Sequence, residues 1–172
     1  VSPNCPTADA TPINIKYINI FKSGIFKLLN IKGKLQIVEN NENTKNKEIG
    51  INITGTLDNT QGVIRGREIS IGGNIKGNSK GKIDSKGALT LNGKIIDNKN
   101  GTLKGSLKKI DAEKFINDEG KILTNEKLDI AAKEGSNVRG EIFGSEGVKI
   151  VGEKLNNLSG EIRSNGKIDL NV

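Results

Sequence analysis

Apolar and polar residues alternate over short stretches of this chain, and the stretches recur along it. Residues 155–172, LNNLSGEIRSNGKIDLNV, show the pattern, with Ile168 and Leu170 two positions apart. A helix would space its apolar residues three and four apart, whereas side chains two apart lie on one face of a strand. The pattern therefore predicts short β-strands.

The stretches belong to a repeat with a period of 19 or 20 residues. An Asn, a Gly three positions later and an aliphatic residue two further on occur six times. The Asn column is Asn59, Asn78, Asn98, Asn117, Asn137 and Asn157, the Gly column is Gly62, Gly81, Gly101, Gly120, Gly140 and Gly160, and the aliphatic column is Ile64, Ile83, Leu103, Ile122, Ile142 and Ile162. A fixed period of this size indicates a solenoid, in which each repeat buries its apolar face by stacking on its neighbours.

Other columns complete the predicted coil of strands and turns. A small residue follows each Gly by four positions, and apolar pairs follow by eight and ten, with Ile69 and Ile71 one residue early and Ile110 and Ala112 one residue late. Parallel coils stack about 4.8 Å apart, so each column becomes a ladder in space.

The Asn and Gly columns predict a structural ladder at a corner of the coil. An Asn amide both donates and accepts, so it can bond its equivalent in the next coil. The Gly would permit either a positive φ or a close approach of the backbone. Exposed turns alone would explain Asn and Gly, but the same offset in six copies favours the ladder.

The repeat extends upstream, where LLNIKGKL gives a seventh copy with Leu28 and Leu35. We therefore expect the coils to cover residues 28–172, with the polar surplus at 39–48 forming a mobile inserted loop. Residues 13–27 form either a degenerate coil or a cap. Residues 1–12 form a tail, in which Cys5 is unpaired or an addition to the natural sequence.

Composition excludes several classes of site. The single Cys excludes an internal disulfide and a thiolate metal cluster, and no apolar run is long enough to insert into a membrane. The net charge of +7 is expected to be spread over the surface. Because no aromatic platform accompanies the lysines, we expect no nucleic-acid site.

The repeats resemble a known family. LDNTQGVIRGREISI, GNSKGKIDSKGALTLNG and LNNLSGEIRSNGKIDLNV are similar to the haemagglutinin repeats of filamentous-haemagglutinin-like exoproteins, whose motif runs Leu-x-Asn-x-x-Gly-x-Ile-x-Ser-x-Gly-x-Leu-x-Leu. The resemblance covers residues 28–172 and implies an all-β fold, a right-handed parallel β-helix. It also implies a long adhesin that a two-partner system secretes to the bacterial cell surface, an architecture shared by contact-dependent growth inhibition exoproteins.

The resemblance also implies partners, namely an outer-membrane transporter during secretion and adjacent coils of a full-length exoprotein. The Asn-Pro motif of the family's secretion domain is not visible, and no capping sequence follows the last coil. We therefore expect this chain to be a segment of a longer filament.

Carboxylates in the repeat do not form the cluster that a polysaccharide-active β-helix enzyme would need. Asp129 and Asp169 share an offset, but Lys149 lies between them, and the chain has no His to act as a base. The calcium-binding nonapeptide pattern is also not matched. The sequence predicts no catalytic, cofactor or metal site, with such an enzyme as a remote alternative.

Two features suggest binding to a target-cell receptor, protein or glycan, rather than a pure spacer. Leu123 and Phe143 occupy an outward offset that is charged in the other copies, so they should form an apolar patch. The insertion offers Asn40, Asn43 and Lys45 as further contacts. An equal alternative is that a strand from residues 13–29 covers the patch.

Overall fold

The chain folds into short β-strands, as the period-two pattern requires. The structure is a computed structural model, and it describes residues 18–20, 27–29, 34–36, 50–53 and 56–172. Over these ranges it contains no helix, and so none that could cross a membrane. The strands are β1 Ile18–Ile20, β2 Lys27–Leu29, β3 Lys34–Gln36, β4 Gly50–Ile53, β5 Thr56–Asp58, β6 Val63–Gly66, β7 Glu68–Ile71, β8 Ile75–Gly77, β9 Lys82–Leu91, β10 Ile95–Asp97, β11 Thr102–Ser106, β12 Lys109–Ile116, β13 Lys121–Thr124, β14 Lys127–Ser136, β15 Glu141–Gly144, β16 Gly147–Asn156, β17 Glu161–Ser164 and β18 Lys167–Asn171.

All of these strands pair in parallel with the equivalent strands of neighbouring coils. In β11, β13, β15 and β17, for example, Leu103 pairs with Ile122, Ile122 with Ile142, and Ile142 with Ile162. One coil consists of a short strand such as β15, a corner, a long strand such as β16 and the Asn-x-x-Gly turn. The predicted all-β parallel solenoid with coils of about 20 residues is confirmed.

Aliphatic columns fill the interior of the rod. The column Ile64, Ile83, Leu103, Ile122 and Ile142 is fully buried. A second column contains Phe115, Gly135 and Leu155 in register. A Cβ added at Gly135 would lie 3.1 Å from Leu155 Cδ1 and 4.0 Å from Phe115 Cδ1, so the two large side chains occupy most of the space that the glycine leaves.

The register of Ile110 corrects the sequence alignment. Ile110 pairs with Ile130 and Ala112 with Ala132, so this pair occupies the positions ten and twelve after the Gly, not eight and ten. The buried Leu107 supplies the preceding apolar side chain. The register shifts by two residues between Lys104, which pairs with Asp84, and Ser106, which pairs with Ala88. One residue is recovered by Ile110, which pairs with Leu91, so the coil ends one residue shorter than the coil before it.

The small-residue column alternates from coil to coil between glycine and a hydroxyl residue, in the order Gly66, Ser85, Gly105, Thr124, Gly144 and Ser164. Ser164 Oγ donates to the Gly144 carbonyl at 2.6 Å. A Cβ at Gly105 would lie 3.0 Å from Ser85 Cβ, and one at Gly144 would lie 2.4 Å from the Gly147 carbonyl. The absence of a Cβ at Gly105 therefore leaves room for the hydroxyl residue of the coil before it, and its absence at Gly144 leaves room for a carbonyl of the same coil.

The first strands stack on the same rod. β1 pairs with β4, β2 with β5, and β3 with β6. Leu35 and Ile64, 29 residues apart, are partners, so the surplus residues lie between β3 and β4. The predicted tail at 1–12, with Cys5, and the insertion at 39–48 lie outside the described residues, as does most of the segment 13–27.

Candidate binding surface

The repeated asparagines form a hydrogen-bonded ladder inside one corner of the rod. Asn59, Asn78, Asn98, Asn117 and Asn137 are fully buried. Each Nδ2 donates to Oδ1 of the Asn in the next coil at 2.7 or 2.8 Å, ending at Asn157. The amides all point the same way, so each side chain donates to one neighbour and accepts from the other.

The second amide hydrogen also has partners. Nδ2 of Asn117 lies 3.3 Å from the Gly120 carbonyl in its own turn and 3.1 Å from the Glu141 carbonyl of the next coil. Because a buried polar group without a partner is costly, this arrangement explains why an amide is needed. A carboxylate would lack both hydrogens.

The repeat glycine is required by a close approach of the backbone. A Cβ at Gly140 would lie 2.0 Å from the Asn117 carbonyl oxygen and 2.4 Å from Asn137 Oδ1. The positive φ instead belongs to the residue before each glycine, as at Arg139 with φ 52°. Of the two roles considered for the glycine, the structure shows the close approach.

Leu123 and Phe143 lie side by side on the outer face of the short strands. They are partners in register between β13 and β15, and both are partly buried. Arg163 follows Phe143 in the same column, and its Cζ lies 5.7 Å from the centre of the Phe143 ring, within cation–π range. The result is a small apolar patch with a cation stacked at one end.

Glu141 borders this patch and connects its charges. Lys121 Nζ lies 3.4 Å from Glu141 Oε2, and the Arg163 guanidinium contacts Glu141 Oε1. Partial burial of Glu141 acts to raise its pKa, but the hydrogen bonds from Arg163 and Lys121 outweigh this effect and leave the pKa below its ordinary value. Glu141 is therefore anionic at neutral pH and holds the Arg163 side chain beside the ring.

Sequence reasoning placed Leu123 and Phe143 correctly beside each other but did not assign roles to Glu141 and Arg163. The sequence did contain a signal for both residues, because they lie at outward offsets. Glu141 is two residues before Phe143, and Arg163 is one coil after it. The strands β1 and β2, from the segment considered as a cover, are stacked on β4 and β5. Asn40, Asn43 and Lys45 lie outside the described residues.

The candidate carboxylates are arranged as their spacing predicted. Lys149 pairs in register with Asp129 on one side and Asp169 on the other. Across the part of the chain that the structure describes, no three His, Cys, Asp or Glu side chains come together in a group that could hold a metal ion.

Comparison with known families decides the class of this rod. The model of the haemagglutinin repeat family matches residues 29–117 and 108–172. The chain belongs to the haemagglutinin repeat family. Neither the curated proteins nor the solved structures contain a match. This family is typical of secreted or cell-surface bacterial exoproteins, and its repeats form rod segments of large, filamentous, adhesin-like proteins.

Proposed function

We propose that this segment presents a binding surface to target cells within a filamentous adhesin or a contact-dependent inhibition exoprotein. The observation that carries the proposal is the pair Leu123 and Phe143, adjacent on an outer face where the other copies carry charge. The exposed part of an apolar side chain contributes favourable free energy only when a partner covers it.

The chemistry of the patch fits a protein or a glycan receptor. The Phe143 ring and Leu123 offer apolar area, while Arg163 and Glu141 lie at the border and can direct polar groups of a ligand. Aromatic and Arg side chains dominate the affinity of many protein interfaces, and a ring face also packs against the apolar side of a sugar. Lys104 precedes Leu123 in the same column and lies outside the patch.

In the alternative, the segment is a pure spacer, and the surface of a spacer would be neutralised by its own ion pairs. Arg65 and Asp84 illustrate that condition on the same face, with Nε and Oδ2 3.7 Å apart. The Leu123 and Phe143 pair breaks this regularity, which favours binding. Secretion through an outer-membrane transporter, exposure on the outer side of the bacterial surface and the absence of enzymatic activity are parts of the same proposal.

The test compares Phe143→Ser with Lys104→Ser, which truncates a side chain in the same outward column. Binding of the labelled chain to target cells and the thermal midpoint would be measured for each variant. We expect Phe143→Ser to weaken binding by roughly tenfold or more and Lys104→Ser to have little effect, with similar midpoints. Equal binding by both variants would favour the spacer.

Deletion of residues 40–47 tests the second predicted contact separately. We expect the rod to remain folded, because loop closure depends only logarithmically on loop length. Loss of folding would mean that these residues contribute a structural strand.

A further inference from the structure

An open groove follows the rod axis on the outside of the long strands. Residues from four successive coils line it, and its floor consists of small apolar residues, namely Ala112, Ala131, Ala132, Val151 and Gly152. Its volume is about 630 Å³, but it is not enclosed. The shape therefore suits an elongated partner lying along the rod rather than a small molecule.

Charges beside this floor alternate in sign from coil to coil. Three columns show the alternation, and their members are Lys94, Glu113, Lys133 and Glu153; Lys109, Asp129, Lys149 and Asp169; and Lys114, Glu134 and Lys154. Lys94 and Glu113 are bridged at 3.3 Å. Among the described residues, Lys133, Glu134 and Glu153 form no ion pair, so these side chains are free to contact a partner.

Charge is also uneven along the rod, contrary to the even distribution expected from the sequence. Residues 56–109 contain eleven Lys and Arg against four Asp and Glu, a net charge of +7. Residues 110–172 contain nine against twelve, a net charge of −3. One half of the described rod is therefore basic and the other half acidic.

We infer that the grooved surface pairs with the same surface of a second copy of this chain, with the two rods antiparallel. A two-fold axis perpendicular to the rods and passing between the coils of β12 and β14 makes each column face itself in reverse order. Glu113 then faces Lys133 of the partner subunit, and Lys114 faces Glu134 of the partner subunit. Further along the rod, Lys94 faces the partner's Glu153.

Every charged pair formed in this way has opposite signs and occurs twice. A parallel pair of rods would place the central column, which contains Glu113 and Lys133, against the same column of the second rod in the same order. Like charges would then meet. The antiparallel arrangement also sets the basic half of each rod beside the acidic half of the other, which favours association over a longer range. Charge therefore selects the antiparallel orientation.

The spacing of the charges identifies the partner as another such rod. Signs repeat every two coils, which is about 9.6 Å at the usual strand separation, and a partner must repeat at that interval to match across four coils. The small side chains at Ala131 and Gly152 let two rods approach, while the longer Lys and Glu side chains at the edges reach across. A second copy satisfies both conditions.

The first test measures the oligomeric state of the full chain by sedimentation velocity. Glu113→Lys and Lys133→Glu, both at exposed positions, each create two like-charge contacts at the centre of the pair. We expect each variant alone to dimerise roughly tenfold more weakly or worse. An equimolar mixture should restore the dimer, because the two substitutions then face each other.

Lys99→Glu is the matched control, since it makes the same charge change at an exposed turn away from the groove and should leave the dimer intact. Unchanged circular dichroism of all variants would show that folding is preserved. A wild-type chain that stays monomeric at about 100 μM in low salt, where surface electrostatics are strongest, would overturn the proposal. So would equal dimerisation of the wild type, both single variants and the mixture.

Orientation is tested by cross-linking in a Cys5→Ser background. Chains carrying Lys94→Cys and chains carrying Glu153→Cys should form a mixed disulfide on mild oxidation. Each variant alone should not cross-link, because two copies of the same position lie three coils apart, about 14 Å at the strand spacing. Self-cross-linking of each variant without the mixed product would establish a parallel pair and refute the antiparallel arrangement.

Discussion

Replacement of Gly140 by Ala tests whether the close approach at the ladder corner holds the rod together. The added Cβ would lie 2.0 Å from the Asn117 carbonyl oxygen, whereas ordinary contact begins at 3.4 Å. The Asn117 backbone would have to move by about the difference, ~1.4 Å. That shift disrupts the hydrogen bond from the Gly120 amide to the Asn117 carbonyl at 3.0 Å and the ladder bond to Asn137 at 2.7 Å.

The expected loss of stability follows from these contacts. Overpacking a close-packed interior costs about 1–3 kcal/mol, and two lost hydrogen bonds add about 1 kcal/mol each. Gly140→Ala should therefore lower the free energy of unfolding by roughly 3–5 kcal/mol.

Gly135→Ala is the matched control, five residues earlier in the same coil. Its Cβ would meet only the end of the Leu155 side chain at 3.1 Å, which can move by a few tenths of an ångström. Removal of a glycine also restricts the unfolded chain, so we expect a change within about 0.5 kcal/mol. Urea unfolding followed by far-ultraviolet circular dichroism gives both values, provided that the denaturant dependence is the same. Equal losses for the two variants would refute the close-approach argument.

Three further predictions concern the core, the ladder and the outer face. Ile122→Ala should cost roughly 2–5 kcal/mol as a core truncation, whereas Lys121→Ala, exposed and one residue away, should cost under about 1 kcal/mol; equal losses in urea unfolding would contradict the assigned faces. Asn117→Asp at neutral pH buries a carboxylate that cannot donate to Asn137, so the pKa of this carboxyl should be raised in the folded state. The variant should then be most stable below the unfolded pKa of about 3.9 and lose stability as pH rises. A pH-independent difference in stability from the wild type would exclude this explanation. The pKa of Glu141 is lowered in the folded state, so the wild type should be more stable than Glu141→Gln above about pH 4.3. This difference in stability should disappear as pH falls through the lowered pKa. A difference that persists at low pH would rule out a role for the carboxylate charge.

The stacked architecture could be predicted from sequence because the constraint that produces it is periodic. A column such as Ile83, Leu103 and Ile122 must be apolar in every coil, so the period of 19 or 20 residues fixes the register. Ile110 shows the limit. The interior requires an apolar side chain at a given place, but Ile110 reaches that place one residue sooner after its repeat glycine than its partner Leu91 does. The register shift that allows this begins after Lys104.

The corner itself was only partly predictable. The left-handed backbone occurs at Gln61, Lys80, Asn100, Glu119, Arg139 and Ser159, and these residue types share no preference that could have revealed it. Stacking of neighbouring turns imposes the conformation, and local propensity would place it at the glycine. On the outer face, alternation located Leu123 and Phe143, but which charges surround them depends on side-chain geometry across coils.

Alternation of glycine and hydroxyl residues at the other corner, as between Gly144 and Ser164, affects how such a rod can change length in evolution. Duplication or loss of a single coil would bring two hydroxyl coils or two glycine coils together. Two adjacent hydroxyl coils would crowd the corner, and two adjacent glycine coils would lose hydrogen bonds such as that from Ser164 to the Gly144 carbonyl. A gain or loss of two coils, such as the 39 residues from Gly62 to Gly101, keeps the order intact. The genetic unit by which this rod can lengthen or shorten without penalty is therefore the pair of coils.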